Sequence, residues 1–210
     1  MLRRALLLAL VCVGGLAASA ARAEEPALRK WHLGVQATAG ARSTHDVFAT
    51  PLLPGAAVEK KGRGAGFFLG RRFGDRFLVD LQVTWARHDM ASAADDVIDV
   101  EALITGTVLF RERDTFQPFV RGGFGGGGTM IGFTDSGDNV FSFGTAAIAG
   151  GGCQVRLGSR VSLEFEAVAT FTNYLEVRNE SGDPRFDDDS WQVRVSSHGW
   201  RTGAGVVFWF

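Results

Sequence analysis

Apolar and polar residues alternate along most of this chain, and the alternation limits what it can fold into. In the clearest stretch, residues 77–85, the apolar Phe77, Leu81 and Trp85 share one phase and the polar Asp80 takes the other. A period of two residues is the signature of a β-strand whose faces meet different surroundings. After residue 23 no stretch reaches the roughly 18 consecutive apolar residues of a membrane-spanning helix. The sequence therefore predicts an all-β protein.

About eight such strands follow one another. They are predicted at residues 31–39, 67–73, 77–85, 98–110, 120–125, 147–157, 161–171 and 200–210. The register of the second strand stays open, because Arg71 shares the phase of Phe67 and Phe73. Short turns are predicted at residues 74–76, 111–117 and 158–160, and long polar loops at 43–63, 87–96, 129–139 and 173–190. Short turns at one end and long loops at the other are typical of membrane β-barrels.

The polar face carries charges of both signs in the middle of the strands. They are Asp80, Glu101, Arg121, Arg156, Glu164, Glu166 and Arg201. We expect these side chains to pair across a narrow lumen, because pairing and hydrogen bonding offset the cost of leaving water. The apolar face then meets lipid, with two interfacial girdles of aromatic residues near the strand ends. The expected girdle residues are Trp31, Phe77, Trp85, Phe110, Phe171 and Trp200.

The first 23 residues read as a signal peptide. Arg3 and Arg4 precede an apolar run at residues 5–16, which is too short to span a membrane. Small residues allow cleavage after Ala20 or after Ala23, and we expect the second, which leaves residues 24–210 as one barrel domain. Cys153 is the one cysteine in that domain, so no disulfide within the chain is predicted.

The last strand ends on an aromatic residue. Small and apolar residues alternate over residues 203–210, up to Phe210. This stretch resembles the C-terminal strand signal of bacterial outer-membrane β-barrel proteins, which the barrel-assembly machinery reads. Gly205, Phe208 and Phe210 match that signal, while Gly203 stands where a polar residue is usual. The resemblance implies that the assembly machinery is a partner of this strand.

Residues 117–124 and 150–164 are similar to the strand-and-turn runs of small outer-membrane barrels. The chain is thereby identified as a member of the OmpA-like and OmpX-like outer membrane protein β-barrel domain family. That resemblance implies an eight-stranded antiparallel up-and-down transmembrane β-barrel in the bacterial outer membrane. We expect both termini in the periplasm, on the side of the short turns, and contacts with outer-membrane lipid and lipopolysaccharide.

The expected role is non-enzymatic: the barrel stabilises the envelope, or its long loops bind a surface or host ligand. A narrow porin is an alternative, although an eight-stranded lumen is about filled by its own side chains. A soluble lipocalin-like periplasmic binder is a second alternative, because alternation also fits a barrel whose apolar face points inward. A lipid A-modifying enzyme is a third. His198 next to Ser196 and Ser197 invites that comparison, but the order departs from the His-x-Ser-Asn pattern of lipid A deacylase barrels.

No cofactor, metal or nucleic acid is expected. Residues 123–128 fit the G-x-G-x-x-G pattern, but no helix is predicted after them to hold a phosphate. The histidines lack the spacing of a zinc site. The net charge of -1 gives no basic surplus for nucleic acid.

Overall fold

A computed structural model gives the fold and describes residues 29–46, 58–90, 94–111, 114–133, 140–179 and 195–210. The predicted signal peptide lies outside these ranges. The strands are β1 (Trp31–Asp46), β2 (Val58–Phe73), β3 (Phe77–Met90), β4 (Ala94–Leu109), β5 (Phe116–Phe133), β6 (Val140–Arg156), β7 (Val161–Asn179) and β8 (Val195–Trp209). Within the described ranges, the chain has no helix long and apolar enough to cross a membrane.

The eight strands form one closed barrel. Each strand pairs antiparallel with the next in sequence, and β8 pairs antiparallel with β1. Two backbone hydrogen bonds complete the seam at the turn end: Trp31 N–H donates to the Phe210 carbonyl at 3.0 Å, and Phe210 N–H donates to the Trp31 carbonyl at 2.9 Å. The prediction of an eight-stranded antiparallel up-and-down barrel is confirmed.

The strands are longer than the sequence pattern predicts. They run from 14 residues in β3 to 19 in β7, whereas about 9–11 residues suffice to cross a membrane. β3 continues to Met90 and β4 begins at Ala94, so most of the predicted loop at 87–96 is strand. Where a strand leaves the membrane both of its faces meet water, so alternation no longer marks where it ends.

The two faces of the wall have opposite character. Leu81 is 56% exposed on the outside, while its neighbour Gln82 is 1% exposed and points into the lumen. Further apolar side chains share the outer face, among them Leu33, Val35, Leu69, Val79, Ile104 and Val120. The lipocalin-like alternative is therefore wrong, because it requires the apolar face to point inward.

The structure also fixes the register of β2. Arg71 pairs with Trp31 on β1 and is exposed on the outer face with Phe67 and Phe73. Its guanidinium lies 5.4 Å from the ring centroid of Trp31 and 5.4 Å from that of Phe73. This cation therefore stacks on aromatic rings at the turn end of the barrel. The chain turns there at residues 74–76, and Gly74 adopts a φ of 63°.

A charge placed halfway along the outer wall tests the lipid-facing assignment. Leu81 lies midway on β3 between the aromatic Phe77 and Trp85, so Leu81→Arg should cost about 2–4 kcal/mol of unfolding free energy. Phe77→Arg is the control, because Phe77 is 57% exposed on the same face but lies at the turn end, where a cation costs about 0–1 kcal/mol. Urea titration of the barrel in lipid vesicles measures both values. Equal costs would contradict the assignment.

Candidate functional site

The lumen holds a cluster of buried ions centred on Arg121 of β5. The Arg121 Nη1 atom lies 2.8 Å from Glu164 Oε1 and 2.6 Å from Glu166 Oε2, and both carboxylates come from β7. Arg121 Nε–H donates to the hydroxyl of Thr107 at 2.9 Å. All of these side chains are almost fully buried. One arginine therefore balances two carboxylates that would otherwise repel each other.

Glu166 connects this cluster to a second arginine. Its Oε1 atom lies 3.9 Å from Arg201 Nε on β8, and Arg201 Nη1 lies 2.8 Å from Glu101 Oε2 on β4. Arg201 also donates to the Thr84 hydroxyl at 2.9 Å. We call Glu101, Arg121, Glu164, Glu166 and Arg201 the lumen ion network. It extends across the lumen from one side of the wall to the other.

Two neutral amides add hydrogen bonds to the carboxylates of the network. Gln36 on β1 donates to Glu166 Oε1 at 3.2 Å, and Gln154 on β6 donates to Glu164 Oε2 at 2.6 Å. Hydrogen bonds of this kind offset part of the cost of burying a carboxylate. The network is thereby tied to β1 and β6, and it crosslinks strands that are not neighbours in the sheet.

Two histidine–carboxylate pairs lie on either side of the network. His32 Nε2 is 2.6 Å from Asp80 Oδ1 towards the turn end, and His88 Nε2 is 3.0 Å from Asp99 Oδ2 towards the loop end. His32 and Asp80 both pair with Gly70 of the intervening strand. A β-carbon at Gly70 would collide with the Asp80 carboxylate, so the glycine leaves the space in which the two side chains meet.

An apolar cluster fills the turn end of the lumen. We call it the lumen plug, and it consists of Phe68, Leu78, Leu109, Phe119, Val207 and Trp209. The Trp209 indole N–H donates to the Ser162 hydroxyl at 3.1 Å, and the Arg121 guanidinium lies 4.9 Å from the ring centroid of Phe119. The plug and the ion network are therefore in direct contact.

A small cavity lies in the loop-side half of the barrel. Its volume is about 50 Å³, and Thr84, His88, Asp99, Glu101 and Arg201 are among the residues that line it. Asp99 accepts a hydrogen bond from Thr129, whose hydroxyl lies 2.6 Å from that of Tyr174. The cavity is large enough for a few water molecules and ends at the ion network.

The structure places most of the predicted lumen charges inside the barrel and the predicted girdle residues outside it. Six of the seven predicted lumen charges are buried in the lumen, and Asp80 pairs there with His32 rather than with an arginine. Arg156, at the end of β6, is half-buried and forms no ion pair within the described part of the chain. The six predicted girdle residues are all on the outer face, with exposures between 45% for Trp31 and 57% for Phe77.

The C-terminal residues and the serine–histidine group lie on the last strand. Phe208 and Phe210 face outward, and a β-carbon at Gly205 would collide with the Val35 carbonyl of β1. Ser197 is buried in the lumen, whereas His198 is exposed on the outside. Adjacent residues of a strand point to opposite faces, so Ser197 and His198 do not meet.

Sequence reasoning did not find the histidine pairs or the lumen plug. The glycine run 123–128 lies inside β5, where it forms wall rather than a phosphate loop. Among the described residues, no group of three or more His, Cys, Asp or Glu side chains could hold a metal ion. The plug did have a signal: apolar residues stand next to each other near the turn end, as in Phe67–Phe68 and Phe208–Trp209.

A closed barrel with a polar, ion-paired lumen and an apolar outer wall defines a transmembrane β-barrel. The family described as outer membrane protein beta-barrel domain matches residues 8–198, and the chain belongs to that family. Its strands are therefore transmembrane strands of the bacterial outer membrane.

Solved structures show the same fold at low sequence identity. Neisserial surface protein A is 15% identical with a TM-score of 0.54, and the match covers 85% of this chain and 97% of that one. The outer membrane protein OprG from Pseudomonas aeruginosa is 14% identical with a TM-score of 0.53, and the match covers 87% and 96%. The comparison with curated proteins gives no match.

Removing Arg121 tests whether the network holds the barrel together. Arg121→Met leaves Glu164 and Glu166 facing each other without their shared cation, so it should cost about 3–5 kcal/mol of unfolding free energy. Arg156→Met is the matched control, since a partly exposed arginine without an ion pair contributes about 0–1 kcal/mol. Denaturant unfolding in vesicles compares them, and a small loss for Arg121→Met would show that the network does not stabilise the fold.

Proposed function

We propose that this protein is a non-conducting, non-enzymatic outer-membrane barrel that stabilises the envelope and carries surface-exposed loops for interaction with a ligand. The observation that carries the proposal is the filled lumen. An eight-stranded barrel leaves an interior just wide enough for side chains, and here these side chains are bonded to one another.

A solute that entered from the loop end would meet two barriers in series. The first is the lumen ion network, in which Arg121, Glu166 and Arg201 join opposite walls. The second is the lumen plug, in which Phe68 is 2% exposed and packs where Gly34 lacks a side chain. Opening the first barrier requires separating buried charges, and opening the second requires moving large rings. These costs favour a structural role over a narrow porin.

The proposed orientation follows from the connections. Outer-membrane barrels have short periplasmic turns and longer outer loops. Trp31 and Phe210 are bonded at the end where residues 74–76 and 157–160 turn, so we assign both termini to the periplasm. The loop end then meets lipopolysaccharide and any surface or host ligand. Residues 1–23 would direct export, and Gly205, Phe208 and Phe210 would present the last strand to the barrel-assembly machinery.

A role as a lipid A-modifying enzyme is less well supported than the structural role. A nucleophilic serine needs a base within hydrogen-bond reach, and that base needs a third group to orient it. Ser197 and His198 lie on opposite sides of the wall. Ser196 shares the face of His198 but stands two residues away on the same strand, about 6–7 Å along it, which is beyond hydrogen-bond reach. We therefore assign no catalytic residue.

Conductance in planar bilayers tests the proposal. The wild-type barrel should give no stable single-channel current, because the plug and the ion network both close the lumen. The triple variant Phe68→Ala, Phe119→Ala and Arg201→Ala removes two rings of the plug and the side chain that joins Glu101 to Glu166, so both barriers are weakened and measurable current steps should appear. Steady wild-type conductance would contradict the proposal and favour the narrow porin.

The control for this experiment lies on the same two strands. Phe67→Ala with Phe124→Ala, made together with Arg201→Ala, removes two phenylalanine rings from β2 and β5, but both face outward, at 43% and 70% exposure, so the plug stays in place. This control should stay as silent as the wild type. Currents from it equal to those of the plug variant would mean that general destabilisation, rather than an open lumen, produces the signal.

A further inference from the structure

The outer wall is not uniformly covered by large side chains. Between β5 and β8 it contains a groove of about 570 Å³. That volume lies within the roughly 300–1,000 Å³ range of ligand-binding pockets. We propose that this groove binds one ester-linked acyl chain of a membrane lipid, held at its carbonyl end by polar side chains. The inference rests on the proposed placement of the barrel in the membrane and names a specific site for the lipid.

Strand register explains the shape of the groove. Phe124, Ala147, Phe171 and His198 are successive partners across β5, β6, β7 and β8. Phe124 is 70% exposed and Phe171 is 52% exposed, so both rings project from the wall. Ala147 between them has one methyl group. The result is a slot with two aromatic walls and a small floor.

The slot continues in one direction along small residues. Ala149 and Gly151 follow Ala147 on the outer face of β6, and Ala149 pairs with Gly122 on one side and Ala169 on the other. None of these residues projects as far as a phenylalanine ring. An extended hydrocarbon chain can therefore lie along β6 and contact the sides of Phe124 and Phe171.

The other end of the slot is polar. Thr145, Asn173 and Ser196 form the next row of partners towards the loops, and all three belong to the groove. His198, in the neighbouring row beside Phe171, also lines the groove. Hydroxyl and amide groups are suited to donate to a carbonyl or hydroxyl oxygen.

The position in the wall fits the same ligand. Trp200, one of the aromatic residues at the loop side, lies on β8 two residues from His198 in the direction of the turn end, and it pairs with Ala169 beside the apolar slot. Tryptophan favours the depth at which headgroups meet acyl chains. The polar end of the groove therefore lies on the headgroup side of Trp200, and the apolar slot continues past it towards the membrane interior. The surrounding wall already faces lipid, so the groove is continuous with that interface.

Native mass spectrometry tests the site. The barrel is reconstituted into phosphatidylethanolamine vesicles and then transferred to a mild detergent. The mass of the protein with its retained lipid is then measured. The wild type should carry one lipid. Ala147→Trp fills the slot and should lower the retained fraction at least about tenfold. Asn173→Leu keeps the slot but removes a donor, and should lower retention a few-fold, as expected for one hydrogen bond.

Ala204→Trp is the matched control, because Ala204 is also an outward alanine but pairs with Ala37 and Phe165 outside the groove. It should retain lipid like the wild type. Unfolding is checked by comparing the gel mobility of boiled and unboiled samples. Equal retention by Ala147→Trp and the wild type, or equal loss by both tryptophan variants, would overturn the site.

Three further outcomes are possible, and the last two distinguish failure of the groove from failure of the proposed membrane role. A dimer in the wild type that Ala147→Trp abolishes would mean that a second barrel, not a lipid, covers the groove, and would overturn the proposal. A barrel that inserts into vesicles without retaining lipid contradicts the groove alone. A protein that fails to insert contradicts the proposed membrane role as well.

Discussion

The absence of water in the membrane interior is the constraint on which this structure depends. Backbone N–H and C=O groups of a strand in lipid must be satisfied by other strands, so the sheet has to close. Here β8 returns to β1, and the bonds between Trp31 and Phe210 complete the ring. Closure at eight strands leaves a narrow interior, and its chemistry follows from what can be buried there.

Charges can occupy that interior only where they are paired and hydrogen-bonded. Arg121 lies between Glu164 and Glu166, and Arg201 between Glu166 and Glu101, so no carboxylate of the network lacks an arginine. Such groups contribute less to stability than their Coulomb energies suggest, because leaving water is costly. Their stronger effect is on specificity, since only one alignment of the strands brings these partners together. We regard the network as the feature that fixes register and closes the lumen.

The strands and their two faces were predictable from the sequence. The contacts between lumen residues were not, because they depend on how the strands pair. Alternation at residues 77–85 indicates a strand with two different faces, and the mid-strand charges of both signs indicate that the polar face lines the lumen. Neither signal reports which lumen residues meet. His32 reaches Asp80 across Gly70 only because β1, β2 and β3 are neighbours in a particular register.

The lumen plug and the strand ends were hidden for a different reason. Phe68 and Leu109 are apolar residues in the phase that elsewhere carries polar ones, so they read as noise in the alternation. The loop-side ends of β3 and β4 extend beyond the stretches in which apolar and polar residues alternate, so the pattern does not mark them. The outer groove depends on the order of Phe124, Ala147 and Phe171 across three strands, which a single strand's sequence does not contain.

A double-mutant cycle on Glu101 and Arg201 tests most directly whether the ion network holds opposite walls together. Unfolding free energies are measured in vesicles for the wild type, Glu101→Gln, Arg201→Met and the double variant. The account predicts a coupling energy of about 1–3 kcal/mol, because each single change leaves a buried partner without its counterpart. Costs that add to within about 0.5 kcal/mol would contradict it and would mean that the two side chains share the lumen without stabilising each other.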